Sequence, residues 1–181
     1  MEYPQRKHAR YRWHDYNGGV YFVTICVKDK EHLFGHIKDN TIYYTEIGET
    51  AVRQIDEISS HWGCATVISS VVMPNHVHMI LRIDEIDSTG NSVQTAMPSD
   101  SQPSPATPRR GPTLGGFHSV LAVVVGGYKA GVKRYANSRG IQFSWQSGFH
   151  DHIIRDPDNY EKISNYIANN ILNWSDDCYF W

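Results

Sequence analysis

Cysteine is scarce in this sequence: Cys26, Cys64 and Cys178 are odd in number, far apart and without any C-x-x-C pairing. That excludes a disulfide framework and a cysteine zinc site, and it fits a reducing, cytoplasmic setting. No apolar run approaches the roughly 20 residues needed to cross a bilayer, and the polar start Met1-Glu2-Tyr3-Pro4 does not resemble a secretory signal, so no membrane partner is expected. No glycine-rich loop of the kind that cradles phosphates is present, which argues against a nucleotide cofactor. Acidic residues are missing from positions 101–150, a stretch that nevertheless carries Arg109, Arg110, Lys129, Lys133, Arg134 and Arg139.

What is present suits one domain over residues 1–181 with a real core, since 40% of residues are hydrophobic and 20% charged. A net charge of -2 argues on average against nucleic-acid binding, but the charges are segregated. Besides the acid-free stretch, residues 1–14 carry Arg6, Lys7, Arg10 and Arg12 against Glu2 alone. Such segregation builds a cationic face on a nearly neutral protein.

Residues 1–19 are basic and aromatic and read as an arm. Val20 to Val27 is nearly all β-formers, as expected of a central strand covered on both faces. A hairpin is predicted from Leu33 to Ile37 and Thr41 to Tyr44, across Lys38-Asp39-Asn40. Thr45 can cap a helix whose apolar positions Ile47, Ala51, Ile55 and Ile58 share one face. Thr66–Met73 and His76–Ile83 are strands joined through Pro74-Asn75. Residues 88–113, rich in Ser, Thr, Pro and Gly, read as a flexible insertion. Leu114, Phe117, Leu121, Val124, Tyr128 and Tyr135 then follow helical spacing, with Gly126-Gly127 weakening the pattern or admitting a close neighbour. A short strand is expected near His152–Arg155. Asp156 as N-cap and Pro157 as first residue announce a last helix with the stripe Tyr160, Ile163, Ile167 and Ile171. The order strand, helix, strand, strand, helix, strand, helix is an α+β, ferredoxin-like β-α-β-β-α-β sandwich with an antiparallel sheet and an added C-terminal helix. Its first and third strands are the central pair.

That topology sets His76 and His78 in mid-sheet. Two residues apart on a strand, they point the same way, and two imidazoles on one face can share a divalent ion. A histidine-triad nucleotide hydrolase needs a third histidine at the next alternate position, which is Ile80. On the last helix Tyr166 is turned about 100° from the apolar stripe, with Asn170 one turn later on the same side.

The run Tyr21-Phe22-Val23-Thr24-Ile25-Cys26, the segment Met73-Pro74-Asn75-His76-Val77-His78, and the spacing of Asn159, Tyr160, Tyr166, Ile167 and Asn170 occur here in order. Together they resemble the single-tyrosine HUH transposases, in the branch associated with repetitive extragenic palindromes. The resemblance implies a metal-dependent endonuclease and strand transferase of single-stranded DNA, hairpin or palindromic, working through a 5′-phosphotyrosine. It implies His76 and His78 as metal ligands, Tyr166 as nucleophile and Asn170 as a further ligand, with Mg²⁺ or Mn²⁺ as the ion. Asn170 is followed by Ile171, where the family usually has Asn-Pro, which leaves Asn169 and Asn170 both open as ligands. His152 lies on the strand before the tyrosine helix and is assigned a structural role. The basic helix carrying Lys129, Lys133 and Arg134, and the arm with Arg6, Lys7, Arg10, Arg12 and Trp13, are the expected DNA contacts, and a homodimer is the expected assembly. The alternative is a domesticated DNA-binding module that keeps the fold without the chemistry.

Overall fold

The β-branched and aromatic run near the start forms a strand with no free edge. In the computed structural model, which describes residues 18–86, 92–95, 97, 119–177 and 179–180, this strand is β1 (Gly19–Cys26). It is followed by β2 (Gly35–Lys38), β3 (Thr41–Tyr44), α1 (Glu46–Asp56), the single-turn α2 (Ile58–His61), β4 (Ala65–Val72) and β5 (His76–Ile83). A two-residue pair, β6 (Glu85–Ile86) and β7 (Ser92–Val93), precedes α3 (Val120–Ser138), β8 (His150–Ile154) and α4 (Pro157–Asn169). The basic arm, with Arg6, Lys7, Arg10 and Arg12, lies outside the described residues, as do Leu114, Phe117 and most of the 88–113 insertion.

The main sheet is antiparallel in the order β4-β5-β1-β8, the ferredoxin-like arrangement with its first and third core strands adjacent. β2 and β3 form a separate hairpin, slightly shorter than expected at its start. Asp39 and Asn40 both take positive φ, 50° and 57°, the mirror-image turn that matches strand twist in a two-residue hairpin.

Alternation along β5 divides the molecule. Val77, Met79, Leu81 and Ile83 join Tyr21, Val23 and Ile25 of β1 in the large core beneath α1 and α3. The opposite face carries His76, His78 and Ile80, and there Ile80, Val20 and Ile154 pack with Ile167 of α4. Asp156 caps α4 by accepting from the Asn159 amide at 2.8 Å. Tyr160 and Ile163 pack half-buried beside Ile167, whereas α4 ends at Asn169 and so leaves Ile171 past the stripe.

The helical face has its own fitting. Thr45 accepts from the Gly48 amide at 3.2 Å and caps α1, whose Ile47, Ala51 and Ile55 are buried. In α3 the buried stripe is Leu121, Val124, Val125, Tyr128, Val132 and Ala136. Tyr135, expected in it, sits at the rim where α3 passes the start of α1, and its hydroxyl donates to Glu46 at 2.7 Å. The glycines of α3 divide their roles. A Cβ on Gly127 would lie 2.7 Å from the Trp62 ring, so this glycine lets the indole lie against the helix, while Gly126 faces open space.

Two described residues of the insertion, Thr95 and Met97, are tied to the sheet. Thr95 donates its hydroxyl to the Ile83 carbonyl at 2.8 Å and its amide to Asp84 at 3.1 Å, and Met97 packs on the Ile80–Ile167 cluster. Among the described residues no helix is long and apolar enough to cross a membrane.

Gly48 gives a direct test of the packing. Glycine to alanine in a helix normally stabilises by about 1 kcal/mol, but a Cβ here would overlap the Phe34 backbone carbonyl oxygen. Gly48→Ala is expected to lower stability by about 1–3 kcal/mol, the usual cost of overpacking, measured by chemical denaturation; a gain in stability contradicts this close approach.

Candidate active site

Asn75, at the turn between β4 and β5, organises the site. Its Nδ2 donates to the backbone carbonyls of Tyr179 (2.7 Å) and Lys30 (3.2 Å), so its Oδ1 is the acceptor facing His76 Nδ1 at 2.8 Å. His76 therefore carries its proton on Nδ1 and presents the Nε2 lone pair to the site. That Nε2 is buried without a hydrogen-bond partner, as is Oδ1 of Asn170.

His78 is equally enclosed. Its Nδ1 lies 2.8 Å from the Thr24 hydroxyl of β1, directly across the strand pair. A hydroxyl serves as donor or acceptor, so Thr24 supports either tautomer, including the one that frees Nε2 for a cation. Phe22 stacks on the His78 ring at 5.1 Å and meets Tyr166 edge-on at 6.1 Å.

Tyr166 reaches this pair from α4. Its hydroxyl lies 3.1 Å from His78 Nε2 and donates to Asp177 Oδ2 at 2.9 Å, while the residue stays 40% exposed. Asn170, 2% exposed at the end of α4, donates Nδ2 to the same Asp177 oxygen at 3.1 Å. The Tyr179 amide holds Asp177 Oδ1 at 2.7 Å. Asp177 belongs to a C-terminal segment, opened by the 3-10 turn Trp174–Asp176, that folds over the histidines. The Tyr179 ring stands 4.6 Å from His76 and the Trp174 ring 6.0 Å.

The ligand atoms of His76, His78 and Asp177 lie within 4.8 Å of one another, and the group can hold a metal ion. The donor set fits a divalent cation: two neutral imidazoles, one carboxylate and the Asn170 amide oxygen, with His76 Nε2 and Asn170 Oδ1 buried and satisfied by no donor among the described residues.

His76, His78, Tyr166 and Asn170 thus converge. Asn169 points elsewhere, its amide donating to the Asn165 carbonyl at 2.8 Å, which separates it from the ligands. His152 is exposed and bonded to Asn159 at 2.8 Å. The α3 cations do not join the site, because α3 packs on the other face of the sheet. Lys129 donates to the carbonyls of Gln146 (2.9 Å) and Gly148 (2.7 Å), Lys133 donates to the Phe143 carbonyl, and Arg134 is exposed. The residue that sequence reasoning missed is Asp177. Its signal was faint: an acidic pair between Trp174 and Tyr179-Phe180, with no periodicity to aim it.

An uncharacterised protein from Haemophilus influenzae is 32% identical over 172 residues, covering 94% of this chain and 88% of that one. The chain belongs to the same family as this Haemophilus protein. Among solved structures, a REP-associated tyrosine transposase bound to a REP hairpin superposes with a TM-score of 0.56 and 16% identity, over 96% of this chain and 74% of that one. The fold is therefore that of a tyrosine transposase. No protein-family model matches the chain.

In this tyrosine-transposase fold, burial keeps both imidazoles neutral. Desolvation pushes His76 well below the usual imidazole value, with His78, Lys30 and His32 adding to the effect. Desolvation brings His78 down to about 4, opposed by the nearby Asp177 carboxylate. The unfolded chain therefore binds protons that the folded chain refuses between about pH 6.5 and 4. The stability contributed by neutral His78 is complete above pH 6.5 and is lost as pH falls towards 4, by about 3 kcal/mol. In EDTA, the melting temperature is expected to drop over this window and to drop less in His78→Gln; equal slopes in the two proteins contradict the assignment.

Proposed function

We propose that this protein is a divalent-metal-dependent endonuclease and strand transferase of single-stranded DNA, acting at hairpin or palindromic sites through a covalent 5′-phosphotyrosine on Tyr166. One observation carries the reading: an exposed phenol stands 3.1 Å from a buried imidazole whose neighbour presents an orphaned lone pair to the same space. The fold shared with a transposase bound to a REP hairpin supports a DNA partner. His76, His78 and Asp177 are the assigned ligands, with Asn170 Oδ1 as a fourth donor; Mn²⁺ tolerates imidazole better than Mg²⁺ does.

The residues have distinct tasks. A tyrosine of ordinary pKa is only about 0.1% phenolate at pH 7, so generating the nucleophile costs about 4 kcal/mol. A bound divalent ion supplies charge neutralisation on the scissile phosphate and holds it for in-line attack. Phe22 and Asp177 fix the phenol's direction from two sides. As the Tyr166 oxygen bonds to phosphorus, the bond to the 3′-oxygen breaks, and that oxygen takes up a proton to leave as a hydroxyl. In the reverse step a 3′-hydroxyl attacks and the phenol departs, a better leaving group than an alkoxide, so the phosphodiester is conserved for rejoining. The arm cations Arg6, Lys7, Arg10 and Arg12, together with Arg134, belong to this reading as contacts to more distant phosphates.

A labelled single-stranded hairpin oligonucleotide incubated with the protein and Mn²⁺ is expected to give a denaturation-resistant adduct. Tyr166→Phe and His76→Ala should each reduce it at least a hundredfold, and EDTA should prevent it. Retarded DNA without any covalent band would instead identify a binding module and refute the nuclease reading.

A further inference from the structure

The β2–β3 hairpin has one face that neither the core nor the site uses. Side chains alternate along its strands, and the pairings His36↔Tyr43 and Lys38↔Thr41 put these side chains on one side, with Ile37, Ile42 and Tyr44 on the other. The second set is half-buried, whereas His36, Lys38, Thr41 and Tyr43 are all exposed. The His36 and Tyr43 rings stack across the strands, their centroids 5.3 Å and their planes 15° apart. Tyr43 nevertheless stays 50% exposed. Among the described residues the large apolar side chains left in solvent are Tyr43, Val123, Tyr166 and Leu172, so the aromatic ones are the proposed nucleophile and this ring. A cross-strand ring pair supports the hairpin that carries it, but that role does not require an open outer ring face.

The hairpin is firmly mounted. The Phe34 amide donates to the Pro74 carbonyl at 2.9 Å, the Thr45 amide to the Phe34 carbonyl at 2.9 Å, and the Tyr44 hydroxyl to the Val72 carbonyl at 3.2 Å. Pro74 precedes Asn75, the side chain that orients His76. The aromatic face therefore stands on a hairpin bonded to the turn that leads into the site. One pair further along the same face is Lys38, about 7 Å away at 3.4 Å per residue. Its ammonium forms an ion pair with no carboxylate among the described residues. A flat ring and a cation on one rigid face complement the parts of a nucleotide: a base with its π-face and a phosphate.

We propose that this face is a stacking platform for an unpaired base of single-stranded DNA, the base lying on the open face of the Tyr43 ring and a phosphate of the same strand meeting the Lys38 ammonium. This rests on the nuclease reading and adds to it a contact outside the reacting centre. Every base has a π-face, so such a platform tolerates sequence and holds the unpaired strand as such.

The test compares, by fluorescence anisotropy, a DNA hairpin with an unpaired tail and the same hairpin cut flush. Each variant is made in a Tyr166→Phe protein loaded with Mn²⁺, so that binding is read without adduct formation. Tyr43→Val keeps strand propensity and removes the ring, while Tyr43→Trp keeps a ring face. Tyr43→Val is expected to bind the tailed DNA about tenfold more weakly than the parent and the flush DNA within about twofold of it. Its log–log salt slope should match the parent's, because no charge is removed. Tyr43→Trp is expected to keep the tailed-DNA affinity, and Lys38→Met to flatten the salt slope by about 0.7, the value for one contact to a single strand. An unchanged tailed-DNA affinity in Tyr43→Val, or an unchanged slope in Lys38→Met, overturns the inference. So does an equal loss on both oligonucleotides or in Tyr43→Trp, which would trace the effect to the hairpin's own packing. Self-association that Tyr43→Val abolishes, with tailed-DNA affinity intact, would give the face to a second copy of the chain and overturn it as well. Absence of binding to either DNA by the parent overturns the nuclease reading and this inference with it; binding by the parent with an indifferent Tyr43→Val overturns this inference alone.

Discussion

Side-chain alternation along β5 is the constraint on which the rest depends. Val77, Met79, Leu81 and Ile83 are each fully buried in the core under the two helices, and the strand has partners on both edges. A one-residue slip would exchange that whole apolar set for His76, His78, Ile80 and Arg82. The large core on one face therefore fixes the two imidazoles on the other without any contribution from the site. The main core and the candidate site occupy opposite sides of one strand.

The site is held in a condition that folding alone would not favour. A buried polar atom without a partner costs roughly 1–3 kcal/mol, and two such atoms, His76 Nε2 and Asn170 Oδ1, belong to side chains grouped around Asp177. Around them the supporting bonds are complete: Asn75 on His76, Thr24 on His78, the Tyr179 amide on Asp177. A satisfied outer layer around an unsatisfied centre is the arrangement expected where a cation completes the structure.

Much of this was legible in the residues. The H-x-H pair on an apolar strand, the Thr45 and Asp156 caps and the turn of Tyr166 away from the apolar stripe all follow from local periodicity, and the sheet order follows from the element order. Asp177 did not, because a segment beyond the last helix has no period, and its position depends on aromatic contacts to residues more than a hundred positions away. The surroundings of the α3 lysines were hidden for a related reason. Their spacing along the helix is visible in the sequence, but the loop carbonyls that absorb Lys129 and Lys133 are brought there only by the tertiary fold. Tyr135 matches the helical period, yet its polar end lies beside Glu46 at the rim.

The proposed reaction requires His76 and His78 to share one ion within reach of the Tyr166 oxygen. A crystal structure of the Mn²⁺-loaded protein with anomalous scattering tests it most directly. One strong peak is expected at coordination distance from both Nε2 atoms, with an Asp177 or Asn170 oxygen as a further ligand. No peak between the imidazoles, or one bound elsewhere with Tyr166 turned away, would contradict it.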